Sequence, residues 1–452
     1  MHEGNYRMSR LKLFISHSSR LDDVEQDQLD ADHNWQLLKT TCKALKDAYG
    51  KSIDILVDQD EKGLYPGCDW ERHLNEWLAE CHAAIILFSK RAAETSQWVK
   101  KEATILTWRR EIESNFTLIP VMLKGQVKQA DLEQDIWKIL QVEKNQCIQD
   151  AENSDDIVDG VKLALGALGA VKTDFPQTPF ERVETLVTKL LKEGTDKQNL
   201  TDVWNSLEKC DIKPEWNPDE ISRFSNALAR YMLRDSQTCL QNFWHIINKL
   251  KPNPDKARAK ELLKAIRALW VDAKAAGLIP ISRKQQGMIA INGNLLLEVS
   301  KELNTNHYTL DRYLERAWPE TDGIRTIPVT STDIDEIQKE IRKEFGMQNT
   351  PIPPEIVDQL INDYSDPLFV YLHCSIESGG IPDPRVLNKF SKLRDTYEKL
   401  VFIFGTGEKL PEETNTKILT IAPPLDLTLE ATQFFYETQA KKLLNKKYGT
   451  PP

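Results

Sequence analysis

The sequence predicts an α/β protein in three parts: an N-terminal parallel sheet, a central helical bundle and a second α/β region. Three observations carry this. Short apolar runs alternate with helically spaced segments over the first 170 residues. Residues 181–275 contain almost no strand-like run. Strand-like and helical segments alternate again beyond residue 280. Alternation of strand and helix is the pattern of a doubly wound parallel sheet.

The elements follow in order. LKLFISH (11–17) reads as a buried strand. Trp35, Leu38, Cys42 and Leu45 recur at helical spacing, which predicts a helix from Asn34 to Tyr49. IDILVD (53–58) is the second strand, and DQDEKGLYPGCD is a loop of turn formers. A helix starts at Trp70, with Leu74, Trp77, Leu78 and Cys81 on one face. AAIILFS (83–89) is apolar along its length, as a central parallel strand should be. A helix over 96–113 leads to TLIPVML (117–123), whose Pro120 suggests a place near a sheet edge. A helix over 155–168 closes the region, assigned to residues 1–170.

VKTDFPQTPF (171–180) carries two prolines and marks the first boundary. The next part, 181–278, reads as about four helices separated by Pro214, Pro218, Pro252 and Pro254. In the last part, 280–452, helices are expected at 295–303, 307–318, 333–345, 354–362, 384–397 and 428–446. Strands are expected at 324–330, 368–374, 399–405 and 417–423.

Composition limits the function classes. Acidic residues outnumber basic ones for a formal net charge of -10, which argues against a whole-surface affinity for nucleic acid or acidic lipid. No apolar run reaches the roughly 20 residues a membrane helix needs. The polar start, Met1 to Arg10, does not resemble a secretory signal. Seven scattered cysteines without a CxxC pair fit free thiols in a reducing cytoplasm.

FISHSS (14–19), LVDQDEKGLYPGCDW (56–70) and CHAAIILFSKRAAETSQWVKKEA (81–103) form three ordered blocks. They resemble the first box, the second strand with its BB loop, and the third strand with the following helix of bacterial TIR (Toll/interleukin-1 receptor) domains. The resemblance covers about a third of the chain. It implies a flavodoxin-like fold and either NAD cleavage or scaffold assembly. Family members carry a Trp and then a Glu four residues on in that helix, here Trp98 and Glu102.

Those residue types suit the reaction. Breaking the nicotinamide–ribose bond develops positive charge on the ribose, as in glycoside hydrolysis. A fixed carboxylate beside the ribose stabilises that charge. The leaving group is already a cationic pyridinium, so neither a metal nor a cofactor is expected, with NAD+ as the substrate. Glu102 is the expected catalytic residue. Taken without the blocks, it reads as a solvated helix residue in the run KKE. Trp98 shares its helix face and either stacks on a flat ring or packs the helix to the sheet.

The resemblance turns Ser16, His17 and Ser18, at the end of the first strand, and Asp58, at the end of the second, toward the nucleotide. Asp58 contacts substrate or caps the loop. His17 is a base or, as the favoured reading, a histidine bonded to backbone. Trp70 packs the BB loop or touches substrate. Gly63 and Gly67 read as turn glycines rather than phosphate contacts.

Cys81 and His82 are adjacent, so their side chains point apart and do not suit a shared metal. The C-terminal strands resemble, in element order, STAND-type P-loop modules. GxxxxGK[ST] is absent, and GMIAINGN (287–294) and SGGIPD (378–383) lack a following Lys-Ser/Thr, so a degenerate sensing or assembly module without hydrolysis is expected.

Together these readings predict a cytoplasmic NAD+ glycohydrolase or cyclase of bacterial antiphage immunity. It self-associates through its TIR domain and the BB loop, 59–69. A protein or nucleic-acid trigger acts on its C-terminal region, and no membrane is involved. The alternatives are a non-enzymatic TIR scaffold, or the TIR subunit of an Argonaute-type nucleic-acid-sensing complex.

Overall fold

Leu11–Ser16 (β1) is buried on both faces apart from Lys12, so it must lie inside a sheet rather than at its margin. In the computed structural model it does. β1 pairs in parallel with Ile53–Leu56 (β2) on one side and Ala83–Phe88 (β3) on the other. β3 continues in parallel to Thr117–Leu123 (β4), and β4 to Ile148–Ala151 (β5). The order is β2-β1-β3-β4-β5. The structure describes residues 10–18, 25–58, 70–113, 115–133, 137, 140, 142, 147–169, 177–192, 197–206, 220–233, 239–249, 256–266, 288–292, 325–329, 333–344, 354–363, 368–373, 384–397, 400–406, 419–421 and eight residues between 432 and 443.

The period of two along each strand divides the side chains between two faces. One core holds Leu13 and Ile15 of β1, Ile85 and Leu87 of β3, and Val121 and Leu123 of β4. It packs against Glu25–Tyr49 (α1), through Leu38 and Leu45, and Ser154–Gly169 (α5), through Ile157 and Val161. Phe14, Ser16, Ile86, Phe88 and Met122 alternate with these residues and are also buried. That second face lies under Gln97–Ile112 (α4), with Trp70–Glu80 (α2) beside it. Lys90–Glu94 (α3) is a short helix between β3 and α4.

Local chemistry fixes the ends. The Ser89 hydroxyl accepts from Ala92 N–H and the Ser96 hydroxyl from Val99 N–H, so both serines are N-caps. Gly125 has φ 73, which lets the chain turn tightly out of β4. The edge strand β5 pairs with β4 only from Val121 onward, so Pro120 lies just before the paired stretch.

The chain divides into two compact units, Met1–Trp270 with Thr432–Pro452, and Val271–Ala431. In the first, the sheet is joined by five described helices, where about four are expected from sequence. They are Pro179–Lys192 (α6), Lys197–Ser206 (α7), Ile221–Leu233 (α8), Cys239–Lys249 (α9) and Lys256–Ile266 (α10). A capping box opens α6: Thr178 Oγ1 accepts from Glu181 N–H, and Glu181 Oε2 accepts from Thr178 N–H.

One arginine ties these helices to α2. Arg230 of α8 donates to Glu76 at 2.5 Å and pairs with Glu80 at 2.8 Å. Its guanidinium lies 4.9 Å from the Phe180 ring centroid. Glu80 is held a second time, by Lys12 at 2.8 Å. Burial raises the Glu76 carboxyl above its usual range, against the pull of Arg230.

The second unit contains Met288–Asn292 (β6), Arg325–Val329 (β7), Ile334–Glu344 (α11), Pro354–Asp363 (α12), Leu368–His373 (β8), Pro384–Thr396 (α13), Leu400–Thr406 (β9) and Leu419–Ile421 (β10). Its sheet is also parallel throughout, in the order β10-β6-β9-β8-β7. Four of its strands match sequence expectation; β6, within GMIAINGN, was expected only as a glycine-rich stretch. The helices expected at 295–303 and 307–318, Gly63, Gly67, the loop 59–69 and most of 428–446 lie outside the described residues. No described helix is long and apolar enough to cross a membrane.

Candidate functional site

In a sheet of order β2-β1-β3-β4-β5 the connections reverse direction between β1 and β3. The carboxyl ends of strands at such a reversal frame a crevice, the usual ligand position in open α/β sheets. Two arrangements meet at this point.

The first is a buried carboxyl. Ser16 closes β1 on the α4 side, and its hydroxyl donates to Glu102 Oε2 at 2.5 Å. Glu102 is 5% exposed. Its pKa is pushed up to about 8, chiefly by burial and further by the charge of Asp58. The Ser16 hydrogen bond and the Lys101 ammonium pull the other way. A carboxyl with a raised pKa, bonded to the last residue of a strand at the sheet's switch point, is the candidate functional group here.

The second is a small cleft with room for about one water, open in part to solvent and lined by His17, Ser18, Asn34, Leu87, Ser89 and Leu123. Its walls Leu87 and Leu123 belong to the α1-side core, so the cleft and the Glu102 carboxyl lie on opposite faces of the strand ends. Glu102 is not among its lining residues. His17 Nε2 lies against Asp58 Oδ1, so the histidine faces a carboxylate, where a backbone partner was the favoured reading.

The expected site residues therefore fall into two groups. Ser16 joins Glu102, while His17 and Ser18 line the cleft. Asp58 touches His17 and is near enough for its charge to oppose ionisation of Glu102. Trp98 is half-buried on α4, one turn before Glu102, and Lys101 Nζ sits over its ring at 5.3 Å from the centroid. Trp70 begins α2; its side chain lies outside the described residues.

Three residues of this region were not singled out from sequence. Ser89 follows β3 as Ser16 closes β1, in the parallel phrases LFS and FIS, and strand-end position could have flagged it. Asn34 and Gln126 exchange two amide hydrogen bonds, at 3.1 and 2.8 Å, between α1 and the turn after β4. Nothing in the local sequence signals that pair, which depends on the packing of α1.

Cys81 and His82 do point apart. The Cys81 sulfur accepts from Arg109 at 3.1 Å, whereas His82 Nδ1 accepts from the Lys12 N–H at 3.0 Å. Burial pushes the Cys81 thiol up to about 11, and burial together with the Lys12 and Arg109 charges lowers His82 to about 4. Among the described residues no group of three His, Cys, Asp or Glu side chains could hold a metal ion. No protein-family model matches the chain, and no curated protein matches it.

Proposed function

We propose that residues 1–170 form a TIR-type NAD+ nucleosidase domain in which Glu102 stabilises the positive charge that develops on the ribose. The observation that carries this reading is the buried Glu102 carboxyl, hydrogen-bonded to Ser16 at the carboxyl end of β1. The strand order supports it too, since 2-1-3-4-5 is the order of flavodoxin-like sheets.

In this mechanism the bond between nicotinamide N1 and ribose C1′ breaks. Its electron pair leaves with nicotinamide and neutralises the pyridinium. Glu102, as carboxylate, faces the oxocarbenium ion in a water-poor site where its charge acts strongly. A water oxygen, or a ring nitrogen of the same nucleotide in a cyclase, then bonds to C1′ and a proton is released. No metal is needed for any of these steps. With a pKa of about 8 the free carboxyl is largely protonated at neutral pH. The incoming cationic ring favours its ionisation, as any neighbouring positive charge does.

Nicotinamide release from NAD+ by the full chain, followed by chromatography under conditions that cluster it, tests this. Wild type is expected to release nicotinamide, and Glu102→Ala to lose at least about 100-fold in rate, the scale of removing one fixed electrostatic group. Equal release by both proteins sinks the assignment.

A scaffold that recruits other proteins of its kind is the second reading. It is favoured by the absence of Glu102 from the cleft lining. No turnover in any assembled state selects it. The setting in antiphage defence, the activation by self-association and the sensing role of the second unit are parts of the same proposal.

A further inference from the structure

Trp98 and Lys101 meet on one stretch of the α4 surface, one turn from the point where Glu102 turns in toward β1. Trp98 lies three residues before Lys101 and four before Glu102, the two spacings that bring side chains together on a helix. The Lys101 ammonium already uses that adjacency, resting over the indole. Trp98 and Lys101 are both half-buried, whereas Glu102 is buried. An ammonium over an indole is held by attraction to the negative face of the ring. The oxidised nicotinamide ring is also cationic, and flat, so it is attracted to the same face by the same physics and by stacking. Two cations cannot occupy one face together.

We propose that Lys101 is an internal surrogate for the substrate's pyridinium: its ammonium occupies the Trp98 face in the free protein and is displaced when an oxidised nicotinamide nucleotide binds. This rests on the nucleosidase reading above and adds a specificity determinant to it. Displacement moves one positive charge off the indole as another arrives on it. A reduced nicotinamide ring is neutral and gains no cation–π attraction, so it leaves the ammonium in place. Displacing the plug is therefore a cost to the oxidised nucleotide alone. Lys101 is here a positioning residue that sets selectivity, and the chemistry stays with Glu102.

The test is calorimetric titration of NAD+ and of NADH into the full chain carrying Glu102→Gln, which keeps the nucleotide intact. It is repeated with Lys101→Met and with Lys101→Arg added. Taking the ratio of the two affinities removes the general attraction of Lys101 for the diphosphate, which both ligands share. Lys101→Arg, whose guanidinium can lie on the same face, is expected to keep the starting ratio. Lys101→Met is expected to change NAD+ affinity relative to NADH by about two- to fivefold, the scale of one exposed cation–π contact. The direction is toward NAD+, because the oxidised ring then has no ammonium to displace, while binding of the reduced ring is unaffected. Adding Trp98→Ala should abolish the effect of Lys101→Met. An unchanged ratio, or the same change in the Trp98→Ala background, overturns the surrogate role while leaving the nucleosidase reading intact. Failure of every variant to bind NAD+ overturns both.

Discussion

Replacing Glu102 by glutamine exchanges a buried carboxyl for a neutral group of the same shape, and the structure sets how the consequence depends on pH. The folded-state pKa is raised, from 4.5 to about 8, with burial as the main cause. Below pH 4.5 the group is protonated folded and unfolded, so it costs nothing. Between pH 4.5 and 8 the unfolded chain releases a proton that the folded chain keeps, and stability falls as pH rises. Above pH 8 the full cost is present and constant. At about 1.4 kcal/mol per pH unit, the span of about 3.5 units corresponds to about 5 kcal/mol. The Ser16 bond to the carboxylate is already part of that shift, so the glutamine escapes the whole cost. Glu102→Gln is therefore expected to be about 5 kcal/mol more stable than wild type at pH 9 and within about 1 kcal/mol of it at pH 4.5. Urea denaturation of both full chains, followed by circular dichroism at pH 4.5, 7 and 9, measures the difference. A difference that does not change with pH refutes the buried-acid reasoning, whatever the variant does to catalysis.

Other expectations follow from the same geometry. Ser16→Ala removes a bond that holds the Glu102 pKa down. If Glu102 acts as carboxylate, the rising limb of the pH profile of NAD+ cleavage shifts to higher pH in this variant; an unmoved limb assigns it to another group. Arg230→Met strips Glu76 of its counter-ion, while Glu80 keeps Lys12. The loss is expected to be about 3 kcal/mol in urea denaturation, partly restored by adding Glu76→Gln. A double variant no more stable than the single one contradicts that account. Cys81, fully buried with its thiol at about 11, should resist iodoacetamide at pH 8 in the folded chain and react once urea is added. Mass spectrometry of the peptide decides, and rapid labelling of the folded protein would show the site to be open.

What could be read from sequence depended on whether a local pattern carries the information. β3 is legible because AAIILF is apolar at every position, and the sheet buries every one of them. β5 is not. Its four residues, IQDA, expose Gln149 and Asp150 and match neither period. The first nine residues of α1, EQDQLDADH, are polar enough that helical spacing became visible only from Asn34. β6 was hidden by its length of five residues and the glycines at 287 and 293.

The site divides in the same way. The strand-end positions of Ser16, His17, Ser18 and Asp58 follow from the alternation of elements alone. The burial of Glu102 does not, because in the run KKE nothing separates the residue that faces β1 from the two that do not. Arg230 was invisible for a related reason: its partners lie 150 and 154 residues away in the chain.

The end of β1 is a short stretch of backbone with obligations on both sides of the sheet. Ser16 is pinned to the helix above, while His17, the next residue, forms the wall of the cleft below. A peptide plane cannot tilt to suit one neighbour without tilting for the other. A shift of the imidazole is therefore expected to move the hydroxyl on the other face as well, and with it the solvation and acidity of the Glu102 carboxyl. Substitutions at His17 or Ser18 are in consequence expected to alter the surroundings of Glu102 from a distance, and an effect of either on that carboxyl does not by itself place the residue beside it.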